Sequence, residues 1–206
     1  MGGLLILSSL VISSLLWVPL GNPYLWPVLA VIVSFGSIGL VDDWLKLSKN
    51  SSRGLSGKLK LLFQLVVCIF VSMFFIELSP EGLRYSVAVP FFKEQLLPLG
   101  LFYILFTSFV IVGASHAVNL TDGLDGLASG CSSIVFYGLG TEILLKNQKE
   151  LIIYCLICYA MSGLFMGFLK FNKYPAKIFM GDTGSLTIGA TLGSIGILTN
   201  SFFTIF

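Results

Sequence analysis

The run Ser115–Gly130, SHAVNLTDGLDGLASG, sets Asp122 and Asp125 between stretches apolar enough for a lipid bilayer. A carboxylate beside hydrocarbon is costly, so such a group marks function by default. Asn119, Asp122 and Asp125 recur every three residues, a spacing that on a helix aligns one polar strip. The competing reading is a glycine-rich turn between two membrane helices. A second acidic stretch, LVDDWLK, carries Asp42 and Asp43. Adjacent carboxylates repel, and the pair needs a cation or a shifted proton. Lys46, four residues after Asp42, suits a helical ion pair. The alternative is a divalent metal or a general base with a lysine alongside. Carboxylates clustered without paired histidines favour a hard ion such as Mg²⁺. In RGLSGKLKLLFQ, Lys58 and Lys60 are compact charges suited to phosphate oxygens, with Gln64 one turn beyond Lys60. In FNKYPAKIFMGDTGSL, Asn172, Phe179 and Asp182 accompany Lys173 and Lys177. Phe179 and Asp182 share a face if that stretch is helical. Asp182 is either the cap of a helix starting at Thr183 or a ligand.

The elements that must position these residues are membrane helices. Of 206 residues, 56% are hydrophobic and 11% charged, against about 25% charged in soluble domains. A span needs about 20 apolar residues, and seven segments qualify: 2–20, 24–41, 61–78, 96–118, 127–145, 151–169 and 183–206. Continuous apolar runs exclude a closed barrel, and no fixed-period repeat is visible. The expected fold is an all-α polytopic bundle, one transmembrane domain over residues 1–206. Cys68, Cys131, Cys155 and Cys158 lie in apolar segments and read as free buried thiols. No basic–aromatic pattern points to nucleic acid.

Basic residues set the sidedness. Loops 42–60 and 170–182 carry eight lysines and arginines, whereas 79–95 and 146–150 carry four. The loops after segments two, four and six are therefore expected on the cytoplasmic side. All five aspartates fall there, and all five glutamates fall at the other end. One acidic site built from three loops at the inner surface is the simplest reason. Carboxylates, lysines and glycines at that depth describe Mg²⁺-assisted phosphoryl transfer, which needs positioning and neutralisation of phosphate charge. A lipid phosphate and a nucleotide-linked donor from the cytoplasm would meet there. An ion-coupled transporter is the rival from a different class, and it would carry its carboxylates near the bilayer midplane.

DDWLK at 42–46, GLSGKLKLLFQ at 54–64, NLTDGLDGLA at 119–128 and FMGDTGSL at 179–186 together resemble the polyprenyl-phosphate N-acetylhexosamine-1-phosphate transferases. Four motifs in order make the resemblance specific, and it runs over essentially the whole chain. NLTDGLDGLA with FMGDTGSL is most similar to the branch acting on UDP-MurNAc-pentapeptide. The resemblance implies transfer of phospho-MurNAc-pentapeptide to undecaprenyl phosphate, giving lipid I and UMP in peptidoglycan biosynthesis, with Mg²⁺ required. It implies a multi-pass protein of the bacterial plasma membrane with a cytoplasmic-side site, and a homodimer is a candidate assembly. By motif, Asp42, Asp43 and Asp182 would be catalytic, with Asp182 the metal ligand. Lys46 and Lys60 would bind phosphates. Asn119, Asp122, Asp125, Asn172 and Phe179 would line the nucleoside-sugar pocket, Phe179 stacking on uracil. A related GlcNAc-1-phosphate transferase shares the same aspartate motifs. Family members have about ten spans and a histidine-rich cytoplasmic loop, so this sequence is expected to be an incomplete chain. His116 stands where the similar run has asparagine, and no role follows for it from sequence.

The predicted topology has a direct check. Single cysteines at Ser52 and Asn147, with native cysteines removed, should be labelled from opposite sides of intact cells. Labelling from one side would dismantle the shared-site argument.

Overall fold

The computed structural model describes residues 2–49, 54–79, 84–88, 96–147 and 149–201. Seven α-helices follow one another: α1 Gly2–Trp17, α2 Leu25–Ser48, α3 Gly57–Leu78, α4 Phe102–Thr121, α5 Leu127–Leu145, α6 Ile152–Asn172 and α7 Gly181–Leu198. Two short strands, β1 Ser86–Ala88 and β2 Leu96–Pro98, pair antiparallel between α3 and α4, with Val87 opposite Leu97. The protein is an all-α membrane bundle with, among the described residues, one short pair of strands. Five helices, α2 to α6, are long and apolar enough to cross a membrane, and α1 is a shorter apolar helix.

α7 differs from the seventh span expected from sequence. Its residues from Thr183 through Ile197 are all buried. It is the axis of the bundle and makes extensive contacts with α2 and α4. Ile188, Leu192 and Ile195 face a core shared with α1, α2, α5 and α6. Leu186, Ala190 and Ile197 face a second core shared with α2, α3 and α4. A helix buried all round need not be uniformly apolar if its polar atoms are satisfied internally. The hydroxyls of Thr187, Thr191 and Ser194 each donate to the carbonyl four residues back, at 2.7–2.8 Å. Glycines let its neighbours close in. A Cβ on Gly189 would strike the Ala114 carbonyl and the Ser115 backbone of α4, and one on Gly39 of α2 would strike Asp182. Conversely, α3 turns Leu62, Phe70 and Phe74 outward, as a lipid-facing helix must.

Two boundaries depart from the sequence reading, and so does one cysteine. α2 does not stop at Val41 but runs about two turns further, carrying Asp42, Asp43 and Lys46 on helix. The fourth segment begins at Phe102 because Leu96–Pro98 pairs with Ser86–Ala88 instead of joining the helix. Thiol burial holds for Cys68, Cys155 and Cys158, whereas Cys131 is exposed on the outer face of α5. Ser52, Arg53, Glu81, Lys93, Glu94 and residues 202–206 lie outside the described residues. At the end away from the aspartates, Glu142 pairs with Lys146 at 3.0 Å, and Tyr24 donates its hydroxyl to Glu150.

The close α4–α7 contact predicts a sharp contrast between two glycines. Gly189→Ala must push the helices apart and should cost about 1–3 kcal/mol. Gly113→Ala meets open space and should be neutral. Thermal unfolding of the purified protein in detergent separates them, and equal stability of both variants would refute the packing argument.

Candidate active site

Four helix ends meet at one end of the bundle. They are the C-terminal turns of α2 and α4 and the N-terminal turns of α3 and α7. Asp182, in the first turn of α7, lies at their centre. Its Oδ2 accepts from Lys60 at 2.7 Å and Lys46 at 3.2 Å, and its Oδ1 accepts from the Asn119 amide at 3.0 Å. Asn119 also donates to Ser185 at 2.8 Å. Asp182 is therefore no cap of its own helix, because its carboxylate serves three neighbouring elements instead.

Asp42 is fully buried, at 0% exposure. Lys46 reaches it at 2.6 Å and Lys60 at 3.1 Å, and the Leu55 backbone N–H donates to it at 2.8 Å. The expected helical ion pair between Asp42 and Lys46 thus exists, and Lys46 also bridges to Asp182. Burying such charges is favourable only when each is closely paired, and here two ammoniums sit between two carboxylates. Gly54 lets the chain fold back over the site, since a Cβ there would lie 2.5 Å from Asp42.

Asp43 does different work. Its Oδ1 accepts from the Asp182 N–H at 3.1 Å, and its Oδ2 accepts from the Thr183 N–H at 2.9 Å and the Thr183 hydroxyl at 2.6 Å. The first amides of a helix lack intrahelical acceptors and carry partial positive charge. Asp43 therefore caps α7 from α2. Gly181 permits the approach, with φ +69° and no side chain where Asp43 sits.

Asp42, Asp43 and Asp182 each offer a carboxylate oxygen within 4.8 Å of the others. Three hard oxygen donors fit a divalent ion such as Mg²⁺ by their chemistry. With Lys46 and Lys60 included, the cluster has a formal charge of −1, so an added cation would compete with the ammoniums.

The remaining predicted residues do not form one strip. α4 ends at Thr121, and Gly126, at φ +79°, breaks the helical path before α5. Asn119 stays on α4 and reaches Asp182. Asp122 caps α4 beside Gly181. Burial and the charges of Asp182 and Asp43 push its carboxyl up to about 6, although the Gly181 amide pulls it down. Asp125 accepts the Ala176 N–H at 2.9 Å. Asn172 is buried, accepting from the Ser129 hydroxyl at 2.8 Å and donating to the Ile178 carbonyl at 3.1 Å. Its amide is committed inside the chain, contrary to the expected pocket-lining place, and with Asp125 it holds loop 173–180. Phe179 lies in that loop, not on a helix with Asp182, and it is 66% exposed. Together with Asp43, Lys46 and Lys177 it borders an open cleft of about 480 Å³. Lys58 is exposed. Sequence reasoning missed Thr183, Ser185 and Ser129, although the first two were visible as the hydroxyls of GDTGSL.

The cap yields a stability prediction. Asp43→Ala removes every acceptor at the α7 start and should cost about 2 kcal/mol. Asp43→Asn keeps a carbonyl oxygen and should lose less than half as much. Thermal unfolding checks this, and equal losses would deny the capping role.

The family model described as Glycosyl transferase family 4 matches residues 25–200. The phospho-N-acetylmuramoyl-pentapeptide-transferase of Prochlorococcus marinus strain MIT 9312 is 48% identical over all 206 residues of the chain and 56% of its own length. The protein of the same description from strain MIT 9515 is 55% identical over 174 residues, covering 84% of this chain and 47% of the relative. The chain thus spans about half the length of the curated relatives it matches. The match runs through all the helices whose ends build the carboxylate–lysine cluster, and the chain belongs to Glycosyl transferase family 4.

Proposed function

We propose that this chain carries the catalytic centre of a phospho-N-acetylmuramoyl-pentapeptide transferase. The reaction moves phospho-MurNAc-pentapeptide from its UDP carrier to undecaprenyl phosphate. A phosphate oxygen of the lipid attacks the sugar-linked phosphorus, the bridging P–O bond breaks, and lipid I and UMP form. The observation that carries this reading is the cluster of Asp42, Lys46, Lys60, Asn119 and Asp182 at one end of an apolar bundle. A lipid headgroup and a soluble nucleotide can both reach that depth. The site faces the cytoplasm of a bacterial plasma membrane, in keeping with the excess of lysine and arginine in its loops.

Within the cluster, Asp43 is the carboxylate of the adjacent pair that borders the cleft, and it takes the role of base toward the lipid phosphate. Asp42, sealed beneath, orients Lys46 and Lys60. These ammoniums and Lys177 hold phosphate oxygens as point charges. Phe179, exposed at the cleft, offers a face for uracil, and Asp122 and Asn119 stand nearby for the nucleoside. Asp182 with Asp42 and Asp43 would hold Mg²⁺, which would supply charge neutralisation for the transferring phosphoryl group. Asp125 and Asn172 act by fixing the loop that carries Phe179.

In the full-length protein, Asp42→Asn, Asp43→Asn and Asp182→Asn should each reduce UMP release by at least about 10³-fold while the protein remains folded. The same enzyme should use UDP-MurNAc-pentapeptide and reject UDP-GlcNAc, because a site built around missing groups discriminates strongly. Near-normal turnover in all three variants would return the aspartates to purely structural work. Preference for UDP-GlcNAc would move the donor assignment to the sister transferase.

A further inference from the structure

One buried polar pair stands beside the cluster without belonging to it. Gln64 is 0% exposed, and its Oε1 lies 2.9 Å from Nε2 of His116. With that oxygen accepting, His116 donates, as a neutral ring protonated at Nε2 can. Among the described residues this is the side-chain hydrogen bond that joins α3 to α4. Its position along both helices matters. Gln64 lies one turn from Lys60 on α3, and His116 lies one turn from Asn119 on α4, so each pair shares a helix face. Lys60 and Asn119 then approach opposite oxygens of Asp182, at 2.7 and 3.0 Å.

The two helices are fixed to α7 very unequally. α4 is locked by the Ser115 hydroxyl donating to the Leu186 carbonyl at 3.1 Å and by the close contact at Gly189. α3 is tied to α7 by the Lys60–Asp182 ion pair, and the length of the lysine side chain leaves part of the helix height to be set elsewhere. Val71 and Phe75 share a core with Val110, and the buried Ser72 and Ser108 hydroxyls return to carbonyls of their own helices. A directional bond in that interface is what selects one register.

We infer that His116 and Gln64 are a positioning pair. Their hydrogen bond sets the height of α3 against α4, and thereby delivers the Lys60 ammonium to Asp42 and Asp182. His116 touches no carboxylate of the cluster, so it acts through Lys60 and not on substrate. The position requires a donor that reaches as far as Nε2 of the ring, which a glutamine amide also supplies and a leucine does not.

The catalytic half of the test rests on the proposed function, so a second readout is independent of turnover. In the full-length protein, His116→Leu should lower kcat by about 10²-fold, the scale for a roughly 1 Å misplacement near reacting groups. His116→Gln should keep kcat within about threefold of wild type. In parallel, Lys60 should react slowly with an amine-acylating reagent in wild type and His116→Gln, and several times faster in His116→Leu, read by peptide mass spectrometry. Gln64→Met, which removes the acceptor at similar volume, should behave like His116→Leu and serves if the leucine variant does not fold. Unchanged Lys60 protection in the leucine and methionine variants, or a glutamine variant as impaired as leucine, would overturn the inference. If wild type itself releases no UMP, the functional reading fails while Lys60 labelling still decides the positioning role.

Discussion

The carboxylate of Asp182 ties together elements that apolar packing alone would leave free to slide. Lys46 from α2, Lys60 from α3 and Asn119 from α4 all converge on its two oxygens. Each partner comes from a different helix, so the group works as a junction more than as an ion pair. Hydrocarbon contacts are non-directional, and a bundle held by them alone tolerates small shifts along its helix axes. A buried charge does not, because an unpaired carboxylate or ammonium is expensive. The site is consequently as much a constraint on the fold as a product of it.

That constraint explains the composition of α7. A helix that presents Asp182 at a fixed height must be approached closely on every side, and glycine, serine and threonine allow this. Gly39 and Gly189 mark the places where neighbouring backbone replaces a side chain. The hydroxyls return their hydrogen bonds to the helix itself, so a polar sequence can occupy the driest place in the molecule. Asp43 completes the arrangement by capping α7 from outside. The same carboxylate therefore sets the helix start and borders the cleft.

Much of this was legible in the sequence, and for a physical reason. Charged residues are so sparse that aspartates and lysines stand out against hydrocarbon, and their spacing along the apolar segments brought Asp42, Asp182 and Lys60 to one end. Hydropathy, however, reports where lipid ends and not where a helix ends, so the extension of α2 through Ser48 was hidden. It also cannot distinguish an apolar strand from an apolar helix turn, which misplaced Leu96–Pro98. The three-residue spacing of Asn119, Asp122 and Asp125 suggested a common strip, and the left-handed Gly126 breaks it. Asp125 and Asn172 bind backbone groups of a loop, and such partners leave no trace in side-chain pattern. His116 could not be interpreted until Gln64 was found opposite it.

A double-mutant cycle on Lys60 and Asp182 tests the junction most directly, using thermal stability of the detergent-purified protein. Lys60→Met and Asp182→Asn each leave a charge without its main partner, and each should destabilise. If the two groups share one buried site, the double variant should be little worse than either single one, with a coupling of about 0.5–3 kcal/mol. Strictly additive losses would mean that Lys60 and Asp182 act independently, and would contradict a bundle organised around a common charged centre.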